Sequence, residues 1–379
     1  MYFCTLLQFG YTMSSAQKAV LFAAGGTGGD LFPALAIADQ LQQILPGITP
    51  VFTGSPDRIE ARRVPEAGYI FHPLSSLQGF RGLSSSPLSL PGRIWKSWRE
   101  ILTIARQYNI KAIVCGGNYI SFPAGLLAIR YSIPLMITEP NVKPGKTNML
   151  LSRRAAAIIT AFQETEAYLP EQSRKAIVCT GTPLRGQISQ PLPDKKIARE
   201  HFGLNPEVFT ILAFGGSLGA ASLNRAMQAM LPKLQEKNIQ LIWQTGNHTI
   251  SAGQYTKGIV IRPFINEMNM AYAAADLVIS RAGGGTIAEL IATGKPCFLL
   301  PLPGASNNEQ SANAQVLVQH NAGIIITDEQ AENRLLPAIM EVFEQPARLE
   351  SMAQAAAALY RPGAAMAAAH YLAQLIEKK

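Results

Sequence analysis

The sequence predicts an α/β chain of two doubly wound, Rossmann-like domains facing each other across a cleft. Three observations carry this. Short apolar runs alternate with helical patterns along the chain, as in a parallel sheet covered on both faces. A strand, a glycine-rich turn and a helix follow one another twice, around Gly25 and again around Gly215. Between the two units, residues 181–193 (GTPLRGQISQPLP) are rich in proline, glycine and polar side chains and read as a linker.

The elements follow in order. Residues 19–24 (AVLFAA) form the first strand, and residues 33–45 the helix after its glycine turn. Strands are expected at 48–53, 110–115, 134–138, 156–160 and 176–179, with helices between them, one from about 90 to 108. The pattern restarts at 209–214 (FTILAF), followed by a helix over 220–231. Further strands are expected at 240–244, 258–262, 277–280, 297–300 and 323–327. A last helix over 364–377 can pack on either domain. The expected division is an extension over 1–13, a first domain over 14–182, a second over 183–360 and a C-terminal helical segment over 361–379.

Composition excludes several classes. Of 379 residues, 48% are hydrophobic and 15% charged, which suits buried cores rather than disorder. The four cysteines lie far apart with no Cys/His cluster, so neither a disulfide framework nor a metal site is expected. No apolar run reaches the length of a membrane span. The first 12 residues are apolar but lack a basic n-region, which argues against a signal peptide; Met13 reads as the true start.

The net charge is +8, and nearly all the excess lies in residues 1–180, with 17 Lys/Arg against 10 Asp/Glu. Residues 67–99 contain no acid. There Arg93, Ile94, Trp95, Lys96, Trp98 and Arg99 combine cations with apolar groups, the chemistry of an anionic bilayer edge. The alternative is a helix whose Trp and Ile simply pack on the domain. No nucleic-acid motif accompanies the charge.

Three turns carry chemistry. Gly25-Gly26-Thr27-Gly28-Gly29-Asp30 places backbone N–H groups and a helix N-terminus where a bulky anion can approach. It is not a strict GxGxxG, and the next strand ends Thr53-Gly54 without a ribose-binding acid, so a nicotinamide cofactor is disfavoured. Asp30 reads equally as a helix cap or as a base that takes a proton from a hydroxyl. Gly215-Gly216-Ser217-Leu218-Gly219 repeats the phosphate cradle, with the Ser217 hydroxyl as an added donor. Ser280-Arg281-Ala282-Gly283-Gly284-Gly285-Thr286 runs into a helix over 287–293, and Glu289 there can accept two hydrogen bonds from a ribose diol. The polar loop 301–314 adds Gln310 as a reader of sugar hydroxyls. None of the five histidines falls in these turns, and HExxH and GxSxG are absent, which disfavours a zinc hydrolase or a serine nucleophile. Two diphosphate cradles and a ribose carboxylate point to a nucleotide-diphosphate ligand, and without a hydride cofactor to a nucleotide-sugar donor.

The ordered set GGTGGD (25–30), GGNYISFPAG (116–125), TEPNVKPGKTN (138–148), GTPLR (181–185), GGSLGAASLN (215–224), FINEMNMAYAAADLVISRAGGGTIAEL (264–290) and PGASNNEQSANA (303–314) resembles the MurG family of GT-B glycosyltransferases, over about residues 18–375. The resemblance implies an inverting transfer of N-acetylglucosamine from UDP-GlcNAc to the C4 hydroxyl of the muramoyl sugar of undecaprenyl-linked lipid I, giving lipid II for peptidoglycan. It implies Glu289 on the ribose; in the cleft, Asp30 can serve as the base, with Glu139 as a second catalytic carboxylate. Ile265 would meet uracil through its backbone. Gly284, Gly285, Thr286, Ile287 and Ala288 would line the nucleotide site, with Ser217 on the diphosphate and Gln310 on the sugar. Thr27, Gly28, Gly29, Asn141 and Arg185 would complete the donor and cleft contacts. It further implies a peripheral enzyme at the cytoplasmic face of the plasma membrane, no cofactor and no metal, and other cell-wall synthesis proteins as partners. The sequence departs from the family in the cleft. Asp30 stands where the family has His, its HEQN reads Thr138-Glu139-Pro140-Asn141, its GGYVSGP reads residues 117–123 (GNYISFP), and Leu218 replaces a Gln. A GT-B transferase with another acceptor, or a non-catalytic UDP-sugar binder, are the alternatives.

Overall fold

The computed structural model describes residues 17–78, 90–184, 186–216, 219–250, 253–254 and 256–378. Strands are β1 Lys18–Ala23, β2 Thr49–Gly54, β3 Ile70–Pro73, β4 Asn109–Cys115, β5 Leu135–Glu139, β6 Ala157–Thr160, β7 Ile177–Cys179, β8 Thr210–Phe214, β9 Gln240–Gln244, β10 Ile259–Arg262, β11 Leu277–Ser280, β12 Cys297–Leu299 and β13 Gly323–Ile325. Helices are α1 Gly28–Ile44, α2 Ile59–Glu66, α3 Leu90–Gln107, α4 Ser121–Arg130, α5 Lys146–Leu151, α6 Lys195–His201, α7 Ala221–Glu236, α8 Met268–Ala274, α9 Gly284–Ala292, α10 Glu309–Gln319, α11 Ala331–Phe343, α12 Pro346–Ala358 and α13 Ala364–Glu377.

Two parallel sheets result, in the orders β3-β2-β1-β4-β5-β6-β7 and β10-β9-β8-β11-β12-β13. Each reverses direction once, between β1 and β4 and between β8 and β11. Ligands of doubly wound sheets bind beyond the strand ends at such switch points. The central strands are buried on both faces, which is why they read as unbroken apolar runs rather than alternating ones. Each sheet carries one apolar core per face.

Three features differ from expectation. β3 is a four-residue edge strand with half-exposed side chains and a proline at its end, so it has no apolar run to announce it. α1 starts at Gly28 instead of residue 33, and Pro33 lies inside it, past the first turn, where it leaves the Gly29 carbonyl without its intrahelical donor. α9 starts at Gly284, three residues earlier than expected, so Glu289 sits in its second turn.

The chain passes from the first sheet to the second between Cys179 and α6. It returns at the end: α13 lays Ala368, Ala369, Leu372 and Ala373 into the core formed by β1 and α1. The alanines have no bulk beyond Cβ, which lets α13 approach α1 closely. Residues 1–16, including Met13, lie outside the described residues, as do residues 79–89 of the basic segment.

Candidate active site at the facing helix N-termini

The site is built where the two switch points meet. α1 and α9 point their N-termini at each other, and a Cβ added to Gly285 would stand 3.5 Å from the Gly29 Cα. A Cβ on Gly284 would come within 2.5 Å of the Pro140 carbonyl, so only glycine permits this approach of the two halves.

The first wall begins at Gly25, where a Cβ would collide with the carboxyl of Glu60. Glu60 is fully buried beneath the turn and accepts from the N–H of Gly26 (2.7 Å) and of Ser55 (2.8 Å). Burial pushes its carboxyl above the usual range, and these two bonds oppose the shift. This qualifies the reading of the turn as a phosphate cradle, because the Gly26 amide is committed to Glu60. The amides of Gly28, Gly29 and Asp30, in the first turn of α1, precede the helix's own hydrogen-bond ladder and remain the local positive end.

Asp30 follows at once. Its Oδ2 accepts from the Thr27 hydroxyl (3.0 Å) and from the Asn118 amide (3.1 Å). Both partners are side chains, and α1 has no side-chain cap bond. The structure therefore decides against the capping alternative. Burial raises the Asp30 carboxyl to about 7; the two hydrogen bonds pull it down, and nearby Glu139 and Glu60 add to the rise.

Glu139, at the end of β5, is also buried and also raised by burial. Its oxygens accept from the Asn141 N–H (3.0 Å), Asn141 Nδ2 (3.1 Å), Gly145 N–H (3.1 Å) and Asn148 Nδ2 (2.9 Å). Four donors fill a carboxylate's acceptor capacity. These bonds tie Glu139 to the 139–148 loop and hold that loop in shape. Asn141 is likewise engaged. Its Oδ1 accepts from Asn313 Nδ2 (2.9 Å), whose own Oδ1 accepts from the Val142 N–H (2.9 Å) and whose Nδ2 also reaches the Ala282 carbonyl (3.1 Å). The fully buried Asn313 thus clasps the two halves together, and Asn141 is part of the clasp rather than a free donor contact.

In the second wall, Gln244 at the end of β9 donates to the Gly216 carbonyl (3.0 Å) and accepts from the Ile265 N–H (2.8 Å). The Ile265 amide is taken, so of its backbone polar groups it is the carbonyl that is left for a base edge. Ser217, Leu218 and Arg185 lie outside the described residues. In the third turn Arg281 is buried and bound to Asp328 (2.5 and 3.0 Å), Ser222 (2.9 Å) and the Leu300 carbonyl (3.0 Å), so it braces the turn. Gly283 caps α9, and Gly284, Gly285 and Thr286 form its first turn. The Ile287 side chain lies in the core and its N–H donates to the Gly283 carbonyl. Ala288 and Ile291 line a cavity shared with Phe162, Thr182, His320 and Tyr360. Gln310 uses its Oε1 on the Leu302 N–H (2.9 Å).

Glu289 is half-buried, and its Oε2 accepts from the hydroxyl of the fully buried Tyr272 (2.8 Å). Burial raises Glu289 to about 7, and the Tyr272 bond opposes the rise. Sequence reasoning missed Glu60, Tyr272 and Gln244. Only Tyr272 carried a signal, as a polar-tipped aromatic within an alanine-rich run (270–275).

On the flank of the first half, α3 buries Ile101, Ile104 and Ala105. Trp98 packs on the same core, as the alternative reading held. Trp95 does not: it is 59% exposed and stacks under the Arg99 guanidinium at 4.9 Å. Arg93 turns inward to the Ser76 carbonyl (3.0 Å). Among the described residues, no helix is long and apolar enough to cross a membrane.

Comparison with known proteins fits this geometry. Residues 20–160 match the glycosyltransferase family 28 N-terminal domain, and residues 210–369 match the family 28 C-terminal domain. The chain is 36% identical over 367 residues to the UDP-N-acetylglucosamine–N-acetylmuramyl-(pentapeptide) pyrophosphoryl-undecaprenol N-acetylglucosamine transferase of Parabacteroides distasonis, covering 95% of this chain and 99% of that one. It is 35% identical to the Bacteroides fragilis protein of the same name, covering 95% and 96%. The crystal structure of MurG from Acinetobacter baumannii superposes with a TM-score of 0.71 at 28% identity, covering 96% of this chain and all of that one. The calicheamicin glycosyltransferase CalG4, at 14% identity and a TM-score of 0.69, shares the fold.

Proposed function

Because this chain belongs to glycosyltransferase family 28, we propose that it transfers N-acetylglucosamine from UDP-GlcNAc to the C4 hydroxyl of undecaprenyl-linked lipid I, forming lipid II with inversion at C1. The carrying observation is the near-full-length match to transferases of that name. The facing N-termini of α1 and α9 support it, since they offer a diphosphate two positive helix ends.

Each group then has a role. Ionised Glu289, steered by Tyr272, takes the ribose hydroxyls. The Ile265 carbonyl meets the uracil edge. The amides of Gly284, Gly285 and Thr286, with Ser217, hold the diphosphate and absorb the charge that leaves with UDP. The Gln310 amide nitrogen and Arg185 contact the donor. Asp30, beside Thr27, Gly28 and Gly29, is the base. A carboxyl at about 7 suits proton transfer near neutral pH. Glu139 positions the loop that carries Asn141.

The acceptor's lipid places the enzyme against a membrane. We assign that contact to the outer face of α3, with Trp95 entering the interface and Lys96 and Arg99 meeting anionic headgroups. Trp98 and Arg93 support the helix from within. This makes the protein peripheral, at the cytoplasmic face where UDP-GlcNAc is available. The test is incubation with UDP-GlcNAc and a short-chain lipid I analogue, read by mass. The disaccharide product supports the proposal. UDP-GlcNAc binding without product would transfer support to another acceptor or to a non-catalytic binder.

A further inference from the structure

Resting on the reading of Asp30 as the base, we propose that Asn118 is a positioning residue that binds one carboxylate oxygen, Oδ2, and so leaves Oδ1 as the atom that receives the acceptor's proton. Asn118 lies in the turn after β4, across the switch point from α1. Its Nδ2 donates to Asp30 Oδ2 (3.1 Å) and to the Gly25 carbonyl, and its Oδ1 accepts from the Ile120 N–H (2.9 Å). A backbone carbonyl requires a donor, and a backbone N–H requires an acceptor. These two partners alone therefore fix which way the amide points, and a flip would break both bonds. Gly26 leaves room for this arrangement, since a Cβ there would stand 3.1 Å from Nδ2. The Thr27 hydroxyl donates to the same Oδ2 (3.0 Å). Among the described residues no donor binds Oδ1.

The consequence is an asymmetric carboxylate. Two donors on Oδ2 withdraw its lone pairs, and the basic lone pairs of Oδ1 stay open. The charged groups acting on Asp30 are Glu139, at the end of β5, and Glu60, beneath the turn, and both oppose its ionisation. The two side-chain hydrogen bonds favour it. In the transfer, the acceptor oxygen bonds to C1 as the bond from C1 to the diphosphate oxygen breaks. The electron pair leaves with UDP, and the hydroxyl proton moves to Oδ1. Asn118 touches none of these atoms and acts through Asp30.

The test compares Asn118→Ala, Asn118→Asp and Asp30→Asn for kcat, for KM toward UDP-GlcNAc and for the pH profile of kcat/KM. Asn118→Ala should lower kcat about tenfold with KM changed by less than about twofold. Its acid limb should move to higher pH, because a bond to the ionised form is lost. Asn118→Asp is isosteric and keeps the acceptor for Ile120, so it serves where the alanine variant misfolds. It should move the limb further, by adding a carboxylate beside Asp30. An acid limb that stays put in both variants overturns the proposal even if kcat falls, because that is the behaviour of a residue that only packs. Full activity in Asp30→Asn overturns the base assignment itself. An inactive Asp30→Asn with an unmoved limb in the Asn118 variants removes Asn118 alone.

Discussion

Replacing Tyr272 with Phe removes one oxygen and little else. The ring stays fully buried and keeps its edge contact with Phe214, at 6.2 Å between centroids. What is lost is the 2.8 Å bond to Glu289 Oε2. A hydrogen bond to a charged group contributes about 1.5–3 kcal/mol, and water reaching the half-buried Glu289 recovers part of it, so about 1–2 kcal/mol remains. The loss acts on ligand binding through ionisation. Glu289 sits near 7 with the Tyr272 bond opposing the rise, so Tyr272→Phe moves it further up. Only the ionised carboxylate accepts both ribose hydroxyls. Uridine is the better probe than UDP, since it carries no titrating phosphate. By calorimetry from about pH 6 to about pH 8.5, wild-type affinity should fall as pH drops below about 7, by up to about tenfold per unit. The variant should bind about 3- to 15-fold more weakly at pH 7, with the gap narrowing toward the alkaline end. Equal affinities at pH 7, or a gap that does not change with pH, would refute the pairing of Tyr272 with a ribose-binding Glu289.

Asp30→Asn should abolish most transfer, by about 10²- to 10⁴-fold, with donor affinity nearly unchanged. The same variant should be more heat-stable at pH 8. The folded state raises the Asp30 carboxyl from 3.8 to about 7, so its contribution to stability is full below the unfolded value and is lost as pH rises toward 7. A lower melting temperature at pH 8 would contradict that sign. Asn313→Ala removes bonds of 2.9, 2.9 and 3.1 Å and leaves the Val142 N–H and Ala282 carbonyl unpaired. It should cost about 2–4 kcal/mol, seen in calorimetry as a lower apparent melting temperature; an unchanged scan would discount the clasp. Trp95→Ser should reduce sedimentation with anionic vesicles and leave the melting temperature unchanged, whereas Trp98→Ala should destabilise the fold. If Trp95→Ser binds vesicles as the wild type does, α3 is not the membrane face.

The sequence was enough for the architecture, because the signals for it are local. Apolar runs such as FTILAF at 209–214 mark strands buried on both faces, and glycines at 25–29 and 215–219 mark turns that only small residues can make. The placement of Glu289 on a helix that opens with glycines was legible too, since it is a matter of spacing. The edge strand β3 was not, because it buries too little to need an apolar pattern. What tertiary structure alone decided is which polar groups remain available. Gly26 is answered by Glu60, 34 residues on, Ile265 by Gln244, 21 residues back, and Asn141 by Asn313, 172 residues away. Asp30 likewise takes Thr27 and Asn118, 88 residues on, as donors to the same oxygen. Spacing along the chain predicts that a donor or acceptor exists. Its partner is chosen through space once the sheets have packed, because a buried polar group must take the nearest group that satisfies it.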